Sequence, residues 1–388
     1  MPLSAVFHTS SLQKQVAALS DAFAIAGEFL HCDVINSGHI NMTFRATYRK
    51  PDGTTRRYIF QRVNDAVFPC PRDVMHNVEK VTNHIRWKML RVLKTPFRQT
   101  LNLYSARGGR KYLEIPGSGF WRCYNCIENT HTFDVADHPR QAYEAARAFG
   151  AFQQLLCDMN PEDIHETIPF FHHTRRRFDH LEKAAAADSH GRLNTCRKEL
   201  DFIRRRERYV DVLLDLQERG ELPVRIVHND TKINNILFNK QGEVLCAIDL
   251  DTVMASTSLN DFGDAIRSYA NTGDEDDRDL SRVGISLEMF SAYTDGYLSL
   301  RAAQLTDTEI GHLAFSARYI TFEQVLRFLM DYIDGDTYYK IKYPDHNLVR
   351  THAQYRLLQS MEEHYGEMCR IVRETVDKYR LSLIHISE

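Results

Sequence analysis

The chain has 388 residues, 43% hydrophobic and 26% charged, enough for one large folded unit or two moderate ones. A formal net charge of -3 offers no broad positive surface, so neither nucleic acid nor an anionic membrane is expected as a partner. The opening MPLSAVFHTSSLQKQ lacks a basic stretch followed by an apolar run, and nothing later approaches the ~20 apolar residues of a bilayer span, so a cytoplasmic protein is expected.

Two strand-like runs, DVINSGHINMTFRATYRK and RRYIFQRVN, flank the turn signal Pro51-Asp52-Gly53 and predict an antiparallel opening. From Pro71 to about Leu93, apolar residues Val74, Val78, Val81, Ile85, Met89 and Val92 recur every three or four positions, which predicts an amphipathic helix. Strand patterns return at RKYLEIP and FWRCYNCIE. Within the latter, Cys123 and Cys126 read as core packing, and the eight cysteines of the chain read as free thiols. Beyond about Arg140 the pattern turns helical, interrupted by strands only between residues 224 and 250. The arginine runs 175–177 and 204–206 read as solvated helix faces. The expected fold class is α+β, with a small β-rich N-lobe over residues 1–128 and a large, mainly helical C-lobe over 129–388.

The segment with the most chemistry is PVRIVHNDTKINNILFNKQGEVLCAIDLDTV, residues 223–253. A hairpin turning at Asn239 to Gly242 would return Asp249 beside Asn235, and these two oxygen donors suit Mg²⁺, which is completed by water and nucleotide phosphates. Asp230, five residues before Asn235, is the candidate base that aligns a hydroxyl and takes its proton. Lys232 can neutralise charge on a phosphoryl group in transfer. His228 belongs to the same candidate catalytic set, with bracing of the loop as its expected contribution. Together these groups imply ATP and Mg²⁺ as cofactors, whereas the plain alternative is a set of polar residues capping a turn.

These loops resemble the aminoglycoside phosphotransferase and choline kinase superfamily, which has a bilobal protein-kinase-like fold. More closely, SGHINMTF, YIFQRVNDAVF, HNVEKVTNHI, VHNDTKINN, AIDLDTVM, DFGDAIRS and LRFLMDYIDGDTYYKIKYPDHNLVR are similar, in order, to stretches of N-acetylhexosamine 1-kinases, over about residues 33–373. The resemblance implies Asp230 as base, Asn235 and Asp249 as metal ligands, and Asp251 as support for the metal loop or its waters. It places Arg62 at the nucleotide phosphates with Glu79 orienting it, the hinge at Asn125 to Glu128 with Cys126 and Ile127 beside adenine, and His39, Arg327 and Tyr338 at the sugar. An exposed Arg62–Glu79 pair and an exposed turn histidine are the structural alternatives. Asn229 departs from the glycine that many relatives carry between the histidine and aspartate of this loop. The tail LSLIHISE is out of keeping with the charged helix before it and carries none of this reading.

The function expected from these residues is phosphorylation of the anomeric hydroxyl of an N-acetylhexosamine. Another sugar, a choline-like amino alcohol or an aminoglycoside is the alternative acceptor, and a non-catalytic nucleotide-binding module is the alternative class. Oligomeric state has no signature in these residues.

Overall fold

A computed structural model describes residues 14, 16–19, 21–35, 40–91 and 97–384. The N-lobe is a sheet of β1 (Glu28–Ile35), β2 (Met42–Arg49), β3 (Thr55–Val63), β4 (Leu113–Ile115) and β5 (Gly119–Asn125), in the order β1-β2-β3-β5-β4 and antiparallel throughout. The first strand-like run therefore splits into β1 and β2, and the expected turn at residues 51–53 joins β2 to β3.

Alternation along these strands sorts side chains between two environments. Phe44, Ala46, Tyr48, Tyr58, Phe60, Trp121 and Cys123 pack with Val16, Leu19 and Phe23 into a small core on the outer face. Thr43, Arg45, Ile59, Gln61, Arg122 and Tyr124 occupy the other face and roof a cleft. Helix α1 (Pro71–Met89) buries Val74, Val78, Val81 and Ile85, the expected stripe, and Pro71 suits its first turn because the missing N–H needs no partner there. Val92 lies outside the described residues.

The C-lobe contains α2 (Pro139–Leu155), α3 (Thr174–Ala187), α4 (Arg197–Arg204), α5 (Val212–Glu218), α6 (Ser258–Tyr269), α7 (Leu287–Arg301), α8 (Asp307–Ile333), α9 (His346–Glu363) and α10 (Tyr365–Ile384). Its spine is α8, on which α6 and α9 pack. At Gly263 a Cβ would lie 2.4 Å from the Ser316 carbonyl oxygen, so only glycine lets α6 approach α8 this closely. Between α5 and α6 run β6 (Arg225–Val227), β7 (Ile236–Phe238), β8 (Val244–Ala247) and β9 (Met254–Ser256), with β6 paired to β9 and β7 paired to β8. Among the described residues no helix is long and apolar enough to cross a membrane. The helical pattern of α10 runs into the tail as far as Ile384, and residues 385–388 lie outside the description.

Candidate active site

Strand β6 ends where the chain meets the N-terminal half of α6, and two buried aspartates of that helix organise the loop that follows. Asp261 accepts from the backbone N–H of His228 at 3.0 Å and of Asn229 at 2.7 Å, and from Gln153 Nε2 at 2.8 Å. Asp264 accepts from the Thr231 N–H at 3.0 Å and from Arg267 at 3.1 Å. Burial pushes the Asp261 carboxyl up, although its donors oppose the shift, whereas at Asp264 the effect of burial is outweighed by Arg267 and Lys232 and the pKa falls. Asn229 adopts φ 63°, a left-handed conformation that asparagine tolerates, and its Nδ2 donates to the Thr252 carbonyl at 2.9 Å. The asparagine thus meets the backbone demand that a glycine would meet and adds a hydrogen bond.

The fixed loop presents Asp230 and Lys232 to the cleft. Asn235 Nδ2 donates to Asp230 Oδ2 at 2.8 Å and to its carbonyl at 2.9 Å, and Lys232 Nζ lies 3.1 Å from Asp230 Oδ1. Asp230 raises the Lys232 pKa, which keeps the ammonium charged. His228 corrects its place in the catalytic set. It is fully buried, its ring lies 5.3 and 5.4 Å from those of Phe149 and Phe152, and Nε2 hydrogen-bonds the Ile248 carbonyl at 2.9 Å. A side chain sealed in this way braces the loop and cannot meet substrate.

The hairpin returns Asp249 to Asn235 as its spacing predicts, with Ile248 N–H bonded to the Asn235 carbonyl at 2.8 Å. Asp249 is itself left-handed at φ 58°. Among the described residues none hydrogen-bonds its carboxylate, and burial, Asp251 and Asp230 push its pKa up to about 7 against the pull of Arg122 and Lys232. A carboxylate crowded by two others and left without a donor suits a cation. The Asn235 amide spends its N–H groups on Asp230, and among the described residues none donates to its Oδ1. The two oxygens fit Mg²⁺, which takes few protein ligands and keeps water and phosphate oxygens for the rest. Asp251 does not join them. Its oxygens accept from Arg122 at 2.5 and 2.9 Å and from Asn41 Nδ2 at 2.6 Å, so it supports the loop through the N-lobe and is not a direct ligand.

The cleft between the lobes measures about 570 Å³, and Asp230, Lys232, Asn235, Asp249, Cys126 and Ile127 all line it. At the hinge, the Cys126 N–H bonds the Arg57 carbonyl at 3.3 Å and Thr130 Oγ1 bonds the Ile127 carbonyl at 3.0 Å. The expected Arg62–Glu79 pair is absent among the described residues. Arg62 shares the face of Tyr58 and Phe60, away from the cleft, and its Nε sits beside Gly119. One residue earlier, Gln61 faces inward, as does its cross-strand neighbour Arg122, and Arg45 and Arg57 also line the cleft.

Of the expected sugar contacts, His39 lies outside the described residues. Arg327 and Tyr338 do not line the main cleft; they belong to a second cluster in the C-lobe. The Arg327 guanidinium lies 5.5 to 5.9 Å from the ring centroids of Phe171, Tyr338 and Tyr339, and its side-chain partner is Gln324 at 3.3 Å. Tyr338 is 63% exposed, and its N–H is held by Asp331 at 2.7 Å. Beside them Glu323 is buried, contacting His172 Nδ1 at 3.0 Å, Thr174 Oγ1 at 2.6 Å and Arg177 Nε at 3.6 Å. Arg177 therefore is not on the solvated face that its arginine run predicts.

Comparisons with known proteins bear on the family and the fold. A family model described as the phosphotransferase enzyme family matches residues 31–302, more than half of the chain. The chain belongs to that family. An aminoglycoside phosphotransferase from Alicyclobacillus acidocaldarius aligns at 15% identity with a TM-score of 0.53, covering 93% of this chain and 96% of its own. A Ralstonia eutropha protein provisionally assigned as an aminoglycoside phosphotransferase aligns at 12% identity with the same TM-score, covering 94% and 98%. At such identity the two structures establish the kinase-like fold of this phosphotransferase. Sequence reasoning assigned no role to Arg122, Asp261, Asp264 or Glu323. Arg122 left a trace, as a charge inside the apolar strand GFWRCYN, which demands a buried partner. Asp261 and Asp264 fall in the quoted stretch DFGDAIRS, but nothing in their spacing says which backbone they hold.

Proposed function

We propose that this phosphotransferase moves the γ-phosphoryl group of ATP to the anomeric hydroxyl of an N-acetylhexosamine, giving the sugar 1-phosphate. The observation that carries the reading is the convergence of Asp230, Lys232, Asn235 and Asp249 on one wall of a single cleft. Asp230 orients the hydroxyl and accepts its proton as the new O–P bond forms and the bond to the departing ADP oxygen breaks. Asn235 holds Asp230 in place and, with Asp249, provides the oxygens for Mg²⁺. Mg²⁺ would supply charge neutralisation on the phosphates. Lys232, 3.1 Å from Asp230, neutralises charge on the phosphoryl group in transfer. The backbone at Cys126 and Ile127 is the proposed adenine edge, and residues 1–128 and 129–388 are the proposed domains.

The sugar assignment draws on the similar stretches from residue 33 to 373 and on Arg327, a cation backed by three aromatic rings with no carboxylate partner within 4 Å among the described residues. Such a group suits the carbonyl and hydroxyl oxygens of an N-acetylated sugar. The test is incubation with ATP, Mg²⁺ and a panel of sugars and amino alcohols, with phosphorus and proton NMR locating the phosphate. A sugar 1-phosphate is expected. A 6-phosphate or a choline phosphate overturns the acceptor assignment, and no transfer to any hydroxyl overturns the kinase reading. Arg327→Ala should raise the sugar KM about tenfold to a hundredfold while leaving the ATP KM within about twofold.

A further inference from the structure

The Asp251 carboxylate is a junction between the lobes. Arg122, at the centre of β5 and 1% exposed, grips it with two nitrogens, Nη1 to Oδ1 at 2.5 Å and Nη2 to Oδ2 at 2.9 Å. Asn41, at the entry to β2, adds 2.6 Å to Oδ2. The remaining guanidinium edge is held from the roof, with Nε and Nη2 donating to Gln61 Oε1 at 3.0 and 2.8 Å, and Gln61 Nε2 in turn reaches Thr43 Oγ1 at 3.1 Å. On the C-lobe side, Thr167 Oγ1 bonds the Asp251 carbonyl at 2.8 Å, Thr252 Oγ1 bonds the His228 carbonyl at 2.8 Å, and Asn229 Nδ2 bonds the Thr252 carbonyl at 2.9 Å. Hydrogen bonds on Asp251, two residues from Asp249, and on the next residue, Thr252, therefore join the sheet of the N-lobe to the catalytic loop.

Each guanidinium nitrogen is already engaged by Asp251 or Gln61, and the residue is buried, so Arg122 is placed to act through these partners. A buried ion pair is weak evidence for a stabilising purpose, because apolar residues of similar volume commonly fill such a position as well. Its placement is more informative. Asp249 has a left-handed backbone, and among the described residues none donates to its carboxylate, so its direction is set by the turn that carries it. The adjoining residue with a rigid two-pronged partner is Asp251.

We propose that Arg122 is a positioning residue: by clamping Asp251 it fixes the turn that carries Asp249, aims that carboxylate at Asn235, and makes divalent-cation binding depend on the N-lobe seating on the C-lobe. This deepens the reading of Asn235 and Asp249 as the cation pair and rests on it. Groups that orient metal ligands through one intermediate typically govern metal affinity about tenfold to a hundredfold.

The experiment is titration of Mn²⁺ in the presence of ADP, followed by electron paramagnetic resonance, alongside the thermal midpoint of each variant. Arg122→Met alone strands a buried carboxylate and is expected to unfold easily, so the informative variant is the paired Arg122→Met/Asp251→Leu, which removes both charges together. It is expected to melt close to the wild type yet bind Mn²⁺ about tenfold or more weakly. Arg122→Lys keeps the charge but loses the two-pronged grip, and it is expected to weaken Mn²⁺ about threefold to tenfold. Wild-type Mn²⁺ affinity in the paired variant overturns the proposal and leaves the clamp a purely structural pair. Should the paired variant not fold, unchanged affinity in Arg122→Lys overturns it equally. Asp249→Asn separates the two levels. If that variant binds Mn²⁺ as tightly as the wild type, the cation-pair reading itself fails, and the proposal with it.

Discussion

The floor and the roof of the cleft are held by the same kind of contact over very different distances along the chain. On the floor, His228, Asn229 and Thr231 hang from Asp261 and Asp264, some 32 or 33 residues away and within the same lobe. On the roof, Arg122 is held by Asp251 across 129 residues and across the lobe boundary. The floor therefore keeps its shape however the lobes sit, whereas the roof reaches its geometry only when they meet. The proposed base thus rests on contacts within one lobe, whereas the Arg122–Asp251 contact needs both.

That division can be broken by experiment. The largest effect is expected on the floor itself: Asp230→Asn should lower kcat by about a thousandfold, in the range general-base removal usually gives, while nucleotide affinity measured by calorimetric titration stays within about threefold. Near-normal turnover would remove Asp230 from the base role. The support beneath it comes next. Asp261→Asn loses a carboxylate that takes three donors, so kcat should fall about thirtyfold, the thermal midpoint should drop by several degrees, and the ATP KM should hold within about twofold. A KM change larger than the kcat change would show that the floor is not independent of the roof.

Where floor and roof meet, pH is the probe. The Asp249 carboxyl has its pKa raised to about 7, so below that pH it carries a proton that a cation must displace. The Mg²⁺ concentration giving half-maximal rate should thus rise about tenfold per unit as pH falls below about 7, and flatten above it. A half-saturating concentration that is level from pH 5.5 to 8 would sink this expectation. The smallest effect is expected from Gln61→Leu on the roof, which removes one acceptor from Arg122 and should raise the ATP KM about fivefold with kcat nearly unchanged.

A further pH effect belongs to the C-lobe cluster around Glu323. Burial alone would raise the Glu323 pKa, but His172, Arg177 and Arg327 outweigh it and hold the carboxyl at about 2. A depressed carboxyl contributes stability above its unfolded pKa and loses that contribution as pH falls toward the folded one. The stability gap between wild type and Glu323→Gln, measured by urea unfolding, should accordingly be full near pH 6 and shrink steadily between about pH 4.5 and 2.5. A gap independent of pH would mean that Glu323 is not held as an anion.

What the sequence by itself determined is the part of the site whose geometry is local. Asp230, Lys232, Asn235 and Asp249 fall within 20 residues, and a loop followed by a hairpin permits few arrangements, so their convergence could be read from spacing and turn signals. The β-rich and helical halves were legible for a similar reason, since periodicity is a property of neighbouring residues. Only the tertiary structure decided between Arg62 and Arg122. Adjacent residues of a strand point to opposite faces, and which face meets the cleft is set by how the sheet docks, so Gln61 turns inward and Arg62 outward although their sequence context is nearly the same. It also separated Asp249 from Asp251, two residues apart and alike in type, because what distinguishes them is a guanidinium that arrives from another lobe. The cluster of His172, Arg177, Glu323 and Arg327 was hidden for the same reason, being assembled by helix packing between segments some 150 residues apart.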